Sequence, residues 1–349
     1  MNIVDMHCDT ISRLASPDVE KKGETLWENQ GHLDLKRMKE TGYLLQNFAL
    51  FVEGEKDGDP WERVKLLYRK YREELERNEK WIAPVSCFSD IERNRKAGKM
   101  SALLTVEEGA VCQGEIAKLE QLYQWGVRML TLTWNFTNEL GEPNFDRKLL
   151  AKFYESTERS VQRQEAFDRY FHTPNVSGGL TERGKEFVVR MEELGMIPDV
   201  SHLSDAGFYD VLAVTKKPFV ASHSNARTVS PCVRNLTDDM IRKLAERGGV
   251  MGLNFCPDFL EETPAGTENP GTIRAVVRHA KHIVQVGGVE VLGLGSDFDG
   301  IEGHRELPGV QSMDRLWGAM KTEGFTESNL DLIFGENVLR MYRDTLQTP

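Results

Sequence analysis

No stretch of the 349-residue chain approaches the roughly 18 consecutive apolar residues of a membrane-spanning helix, and no apolar C-terminal tail offers a lipid-anchor signal. The N-terminus lacks a basic stretch followed by an apolar one, so no secretory leader is expected. Cysteine is scarce and scattered: Cys8, Cys87, Cys112, Cys232 and Cys256 are odd in number and form no CxxC pair. That suits reduced thiols in a cytoplasmic protein better than a disulfide framework. Positive charge is outnumbered, with 44 Lys and Arg against 55 Asp and Glu, a net charge of -11 and a pI near 5.4. Nucleic acid and anionic membrane surfaces both favour a basic face, so neither is expected as a partner. Internal repeats and low-complexity tracts are also missing.

What is present is enough apolar residue, 40% of the chain, to bury a large core. Eight short β-rich runs alternate with helical patterns: Asn2–Asp9, Tyr43–Val52, Ser101–Glu107, Val127–Trp134, Ile197–His202, Phe219–His223, Val250–Phe255 and Val291–Asp297. Between them lie segments such as Val64, Leu67, Tyr68, Tyr71 and Leu75, whose intervals of three and four share one helix face. Strand–helix alternation argues for a parallel sheet, and eight strands in this length favour closure into a (β/α)₈ TIM barrel forming one domain over residues 1–349. An open nucleotide-binding sheet would need a GxGxxG turn after its first strand, where the chain instead has Cys8-Asp9-Thr10. Asp146–Tyr170, rich in charge and helix formers, is predicted as a helical insertion after the fourth strand, either a solvated surface helix or a lid or oligomer contact.

The apolar runs end in chemistry. Asp5-x-His7-x-Asp9 opens the chain, and in an extended strand His7 and Asp9 share a face and can close on one metal ion. Later runs end in Glu107, His202, His223 and Asp297. Charged groups at the ends of buried strands are costly unless paired or metal-bound, and barrels of this class carry catalytic groups at those ends. Glu107 has two oxygens and can bridge two ions, one with His7 and Asp9, the other with two histidines. Nitrogen and oxygen donors without thiolate suit zinc first, with manganese or cobalt as alternatives. Asp297 is the candidate acid and base, able to take a proton from the attacking water and return it to a leaving amine; Asp299 is the alternative. His32, His279 and His282 receive no role.

These residues resemble the membrane dipeptidase family, also called the renal dipeptidase or peptidase M19 family, of the amidohydrolase superfamily. The resemblance rests on Asp5-Met6-His7-Cys8-Asp9, Val106-Glu107-Glu108-Gly109, Leu130-Thr131-Leu132-Thr133 and Gly179-Leu180-Thr181-x-x-Gly184. It continues through Asp199-Val200-Ser201-His202, Ser222-His223-Ser224-Asn225-Ala226-Arg227, Arg234-Asn235, Gly295-Ser296-Asp297-Phe298-Asp299-Gly300 and Glu336-Asn337. It implies a barrel with two zinc ions, one on His7, Asp9 and Glu107, the other on Glu107, His202 and His223. It also implies Asp297 as acid and base, and Arg234 as the group that holds a dipeptide's free carboxylate. A guanidinium fork suits that task, because it pairs with a carboxylate in a bidentate way.

One position departs from the pattern. The family often carries a histidine after the Leu-Thr-Leu-Thr strand, and here the residue is Trp134. An indole offers one N–H donor and a large apolar face, so Trp134 is expected to line the substrate pocket. The expected activity is hydrolysis of dipeptides, including those with a C-terminal D-residue. N-acyl amino acid or lactone hydrolysis on the same two-metal site is the alternative, and a non-catalytic ligand-binding barrel is the third reading. The phosphotriesterase-like branch bridges its metals with a modified lysine on the fourth strand, where this chain has Thr131 and Thr133. Whether the barrel forms a homodimer stays open at this level.

Overall fold

The structure, a computed structural model, describes residues 1–146, 170–263 and 268–346. Its nine strands are all parallel: β1 Ile3–Asp5, β2 Tyr43–Phe51, β3 Ile82–Val85, β4 Met100–Glu107, β5 Val127–Thr131, β6 Ile197–Asp199, β7 Val220–Ala221, β8 Val250–Leu253 and β9 Leu292–Leu294. Hydrogen bonds run in the order β2-β1-β9-β8-β7-β6-β5-β4, and β4 then pairs with β2, from Leu45↔Ser101 to Phe51↔Glu107. The sheet is therefore a closed eight-stranded (β/α)₈ barrel, as the alternation predicts. β3 is the addition: it pairs only with the first half of β4, from Ile82↔Met100 to Val85↔Leu103, while β5 takes the second half.

Each of the eight expected runs contains an observed strand, and all of these but β4 stop short of the expected end. β6 ends at Asp199 and β7 at Ala221, so His202 and His223 stand in the loops just beyond the ladder, as His7 and Asp297 do. Glu107 alone among the candidates is still in its strand. The predicted insertion over 146–170 lies outside the described residues except at its ends.

Two apolar layers hold the barrel. Val4, Met6, Leu45, Leu103, Met129, Ile197, Val220 and Val250 pack with Val338, Met341 and Tyr342 of the C-terminal helix Asn337–Thr345, which closes the end opposite the candidate residues. Outside the strands, helices bury one stripe each. In Pro60–Arg77 that stripe is Val64, Leu67, Tyr71 and Leu75, and the helix starts where Asp59 accepts from the N–H groups of Trp61 and Glu62 with Pro60 at its first position. Thr181, Ser204, Thr237 and Thr272 cap later helices in the same way.

One outer helix, Ile273–Gly287, is pinned by His279. Its Nδ1 accepts from the Ala226 N–H at 3.0 Å, and its Nε2 donates to the Leu260 carbonyl at 2.8 Å. Burial pushes its pKa down to about 4. Between pH 6.5 and 4 the unfolded chain therefore binds a proton that the folded chain refuses, so this stabilisation is complete above about 6.5 and is lost as pH falls toward 4. Unfolding free energy measured from pH 7 to 4.5 should fall by roughly 2 kcal/mol more in the wild type than in His279→Gln, and equal slopes would remove His279 as the cause.

Candidate active site

The site begins with Asp5. Its buried carboxylate accepts from the N–H of His7 at 3.2 Å and of Ser296 at 3.0 Å, which ties the end of β1 to the end of β9. The Asp297 N–H donates to the His7 carbonyl at 3.3 Å and the Asp9 N–H to the Phe298 carbonyl at 2.9 Å, so first and last segments arrive together. Gly300 lies directly beneath: a Cβ there would overlap the carboxylates of both Asp9 and Asp297. His202 and Asp297 themselves take left-handed backbone angles, φ 70° and 63°, which non-glycine residues adopt only under constraint.

Glu107 stands at the centre. Its Oε2 lies 3.3 Å from His7 Nε2, and that nitrogen is 3.4 Å from Asp9 Oδ2 and 3.9 Å from Asp297 Oδ1. Its Oε1 lies 3.1 Å from His202 Nε2 and 3.5 Å from His223 Nε2. The two oxygens thus face two separate groups of donors.

The hydrogen bonds behind the imidazoles decide what those nitrogens carry. His202 Nδ1 meets Asn135 Oδ1 at 2.9 Å; a carboxamide oxygen only accepts, so the ring proton sits on Nδ1. Ser222 Oγ donates to Asp199 Oδ2 at 2.5 Å and so must accept from His223 Nδ1, 2.8 Å away. Both Nε2 atoms are therefore bare lone pairs, yet they lie 3.0 Å from each other and beside a carboxylate oxygen. Lone pairs at that distance repel unless a cation lies among them. His7 Nε2 and Asp9 Oδ1 are likewise buried without a hydrogen-bond partner. The donor set fits divalent metal ions, with each rear nitrogen bond fixing the ring as metal-ligating histidines require.

The electrostatics agree. Burial pushes the His202 and His223 pKa values well down, helped by His7 and Arg234. Burial also opposes charge on His7, but Glu107 and Asp9 outweigh it and hold its pKa well above the usual value. Burial raises Glu107 and carries Asp297 to about 7, with Asp9 and Glu107 adding to the rise in Asp297. Three carboxylates in so little solvent favour bound cations, which reverse these shifts.

Around this centre the remaining expected residues separate. Arg234 is buried; its Nη2 donates to the His223 carbonyl at 3.3 Å, its Nε has no partner, and among the described residues no carboxylate lies within ion-pair distance. Arg227, seven residues earlier, is instead satisfied by both oxygens of Asp205 at 2.6 and 2.7 Å. Trp134 stands half-buried over β5, edge-on to Phe51 at 4.9 Å between ring centres, 5.5 Å from Phe136 and 6.2 Å from His202. Asp299 faces away from the metal candidates: it accepts from Thr10 Oγ1 at 2.6 Å and the His32 N–H at 2.7 Å. Thr131, where a lysine would bridge metals in another branch, donates to Asp199 Oδ2 at 2.7 Å. Sequence reasoning places Asp5, Asp199, Ser222 and Gly300 in motifs without a role and does not single out Asn135 or Asn254, since only their partners across the barrel give them roles.

Comparison with known proteins places the chain. The membrane dipeptidase family (peptidase family M19) matches residues 1–348. An uncharacterized dipeptidase of Schizosaccharomyces pombe is 30% identical over 98% of this chain and 80% of its own length. A metallo peptidase from Rhodobacter sphaeroides, solved with a phosphinate mimic of the dipeptide L-Ala-D-Ala, is 25% identical over 99% of each chain with a TM-score of 0.83. The dipeptidase AC, a metallo peptidase of family M19, shares the fold with a TM-score of 0.85 at 24% identity, over 100% of this chain and 99% of its own. With its closed barrel and its metal-ligand candidates on that barrel's mouth, this chain belongs to the membrane dipeptidase family, peptidase family M19, and is a metallo-dipeptidase.

Proposed function

We propose that the chain is a binuclear zinc dipeptidase that cleaves dipeptides, including those with a C-terminal D-residue. The observation that carries this reading is Glu107, one carboxylate with each oxygen facing its own set of donors. His7, Asp9 and Glu107 would hold one ion, and Glu107, His202 and His223 the other. Zinc fits nitrogen and oxygen donors; the thiol between His7 and Asp9, Cys8 Sγ, donates to the Asn47 carbonyl at 3.3 Å instead. Bound divalent ions supply Lewis acidity toward the scissile carbonyl and the attacking water.

The chain's own groups do the rest. Asp297 would accept a proton from the water at Oδ1 and return it to the amide nitrogen as the C–N bond breaks. Arg234, charged and with its Nε unpartnered, receives the substrate's free carboxylate. The L-Ala-D-Ala mimic bound by the Rhodobacter sphaeroides relative supports extending the substrate range to a D-residue at the carboxyl end. Among the described residues no helix is long and apolar enough to cross a membrane, and all five thiols are free. A reducing cytoplasm suits those thiols.

Metal content gives the first test. The purified protein should hold about two divalent ions, and Glu107→Gln should lose at least one together with nearly all turnover. Full loading and full turnover in that variant would break the bridge. A panel of L-L, L-D, N-acyl and carboxyl-amidated substrates tests the activity itself: N-acyl amino acids cleaved in preference to free dipeptides would favour the other amidohydrolase reading. In the same panel Arg234→Ala should lower kcat/KM on free dipeptides by about 1.5–3 kcal/mol and leave amidated ones unchanged. An equal loss on both would deny Arg234 its carboxylate.

Trp134 carries the prediction on selectivity. As a pocket wall with Phe51 and Phe136, it limits side-chain size beside His202. Trp134→His should keep its metal and re-rank four dipeptides of graded size by kcat/KM. A lower melting temperature with an unaltered ranking would make it a rim filler only.

A further inference from the structure

Asn254 stands one residue beyond β8, wholly buried. Its backbone and the side chain of Asn225 form a reciprocal pair: the Asn254 N–H donates to Asn225 Oδ1 at 3.2 Å, and Asn225 Nδ2 donates to the Asn254 carbonyl at 2.9 Å. That pair already ties the loop after β7 to the end of β8. It leaves the Asn254 side chain free for another purpose.

The Asn254 carboxamide can point only one way. Its Oδ1 accepts from the Cys256 N–H at 2.6 Å, so the NH₂ end must face the opposite direction. There it donates to Asp297 Oδ2 at 3.0 Å, with the His223 carbonyl at 3.5 Å as its second neighbour. The other oxygen of Asp297, Oδ1, is the one turned to His7 Nε2 at 3.9 Å. Asp297 also sits in a strained left-handed conformation, with Gly300 packed against Oδ1, so its side chain has two constraints on one carboxylate.

We infer that Asn254 is a positioning residue for Asp297, holding Oδ2 so that Oδ1 alone is presented to the reacting atoms. This rests on the proposed role of Asp297 as acid and base and assigns the geometry by which it acts. Asn254 touches no substrate atom in this account. A carboxylate with both oxygens unrestrained would rotate about its Cβ–Cγ bond, and part of its population would hold the proton away from the amide nitrogen. Loss of the donor should therefore slow turnover without weakening substrate binding.

The test uses Asn254→Leu, which removes donor and acceptor at similar volume, and Asn254→Ser, which leaves room for water. Each is measured for melting temperature, metal content, KM and kcat on one good dipeptide, alone and combined with Asp297→Asn. The expected result is a kcat lower by roughly 10- to 100-fold with KM within about twofold and metal retained. In the Asp297→Asn background the same replacements should cost less than about twofold more, because their only route to the chemistry is already gone. If one variant fails to fold, the other decides. Losses that multiply on that background, an effect carried by KM, or an unchanged kcat would each overturn the inference. Wild-type turnover in Asp297→Asn would overturn the acid and base reading and this inference with it. A crippled Asp297→Asn beside unaffected Asn254 variants overturns this inference alone.

Discussion

The barrel mouth is organised around one buried carboxylate whose two oxygens face different partners. Glu107 faces bare imidazole nitrogens on one side and His7, itself beside Asp9, on the other. Without cations this is a cluster of negative charge and lone pairs removed from water, which is unfavourable by several kcal/mol in any protein interior. The surrounding hydrogen bonds make sense only as supports for such a cluster. Asn135 and Ser222 turn the two histidines so that their lone pairs converge, Asp199 fixes Ser222, and Asp5 holds the strand ends that carry His7 and Asp297. The fold spends stability here to hold a geometry.

Backbone strain marks the same place. Of the five non-glycine residues with positive φ among the described ones, His202 and Asp297 are candidate site residues, Glu108 follows Glu107, and Asp299 lies two residues beyond Asp297. Glu108 accepts from the N–H groups of Ala110 and Trp134 and from the Asn138 side chain, so its strain is offset by fastening the loops that carry Trp134. Asp299 does the same for the loop through His32. A chain that only needed a closed barrel would not require left-handed aspartate and histidine where its strands end.

How much of this was legible in the sequence follows from range. The eight barrel strands could be read because each is an apolar run between helical patterns, a signal contained within a few residues. β3 could not: Ile82-Ala83-Pro84-Val85 is short and contains a proline, and only the extra length of β4 gives it a partner. Strand ends were overestimated because carboxylates such as Asp199 capture the next N–H groups and stop the ladder, which periodicity does not reveal. The metal-ligand candidates were visible as charge at the end of apolar runs. Their supports were not, since Asn135 meets His202 across 67 residues, Thr131 meets Asp199 across 68, and Asn254 meets Asp297 across 43. No local pattern encodes such a pairing; the closure of the barrel creates it.

The order of strands around the barrel also bears on why a dipeptide suits the proposed reading. Going round the closed sheet, β2, β4 and β5 are consecutive, and they carry Phe51, Glu107 and the loop with Trp134 and Phe136. Arg234 belongs to the loop between β7 and β8, roughly half a turn away, and reaches in over His223. The metal-ligand candidates lie between these two walls. A substrate anchored by its carboxylate at Arg234 would place the peptide bond nearest that carboxylate at the ligand cluster and the side chain before that bond toward the aromatic wall; since every peptide ends in such a carboxylate, a limit to dipeptides would have to come from the amino-terminal side of the pocket. In the proposed reading the buried guanidinium would be the anchor, because a charge desolvated to this degree binds well only when an anion arrives to pair with it. Under that proposal, Arg234 on the far wall from Trp134 would separate recognition of the carboxyl end from recognition of the amino-terminal side chain, so that each could vary without disturbing the metal-ligand candidates between them.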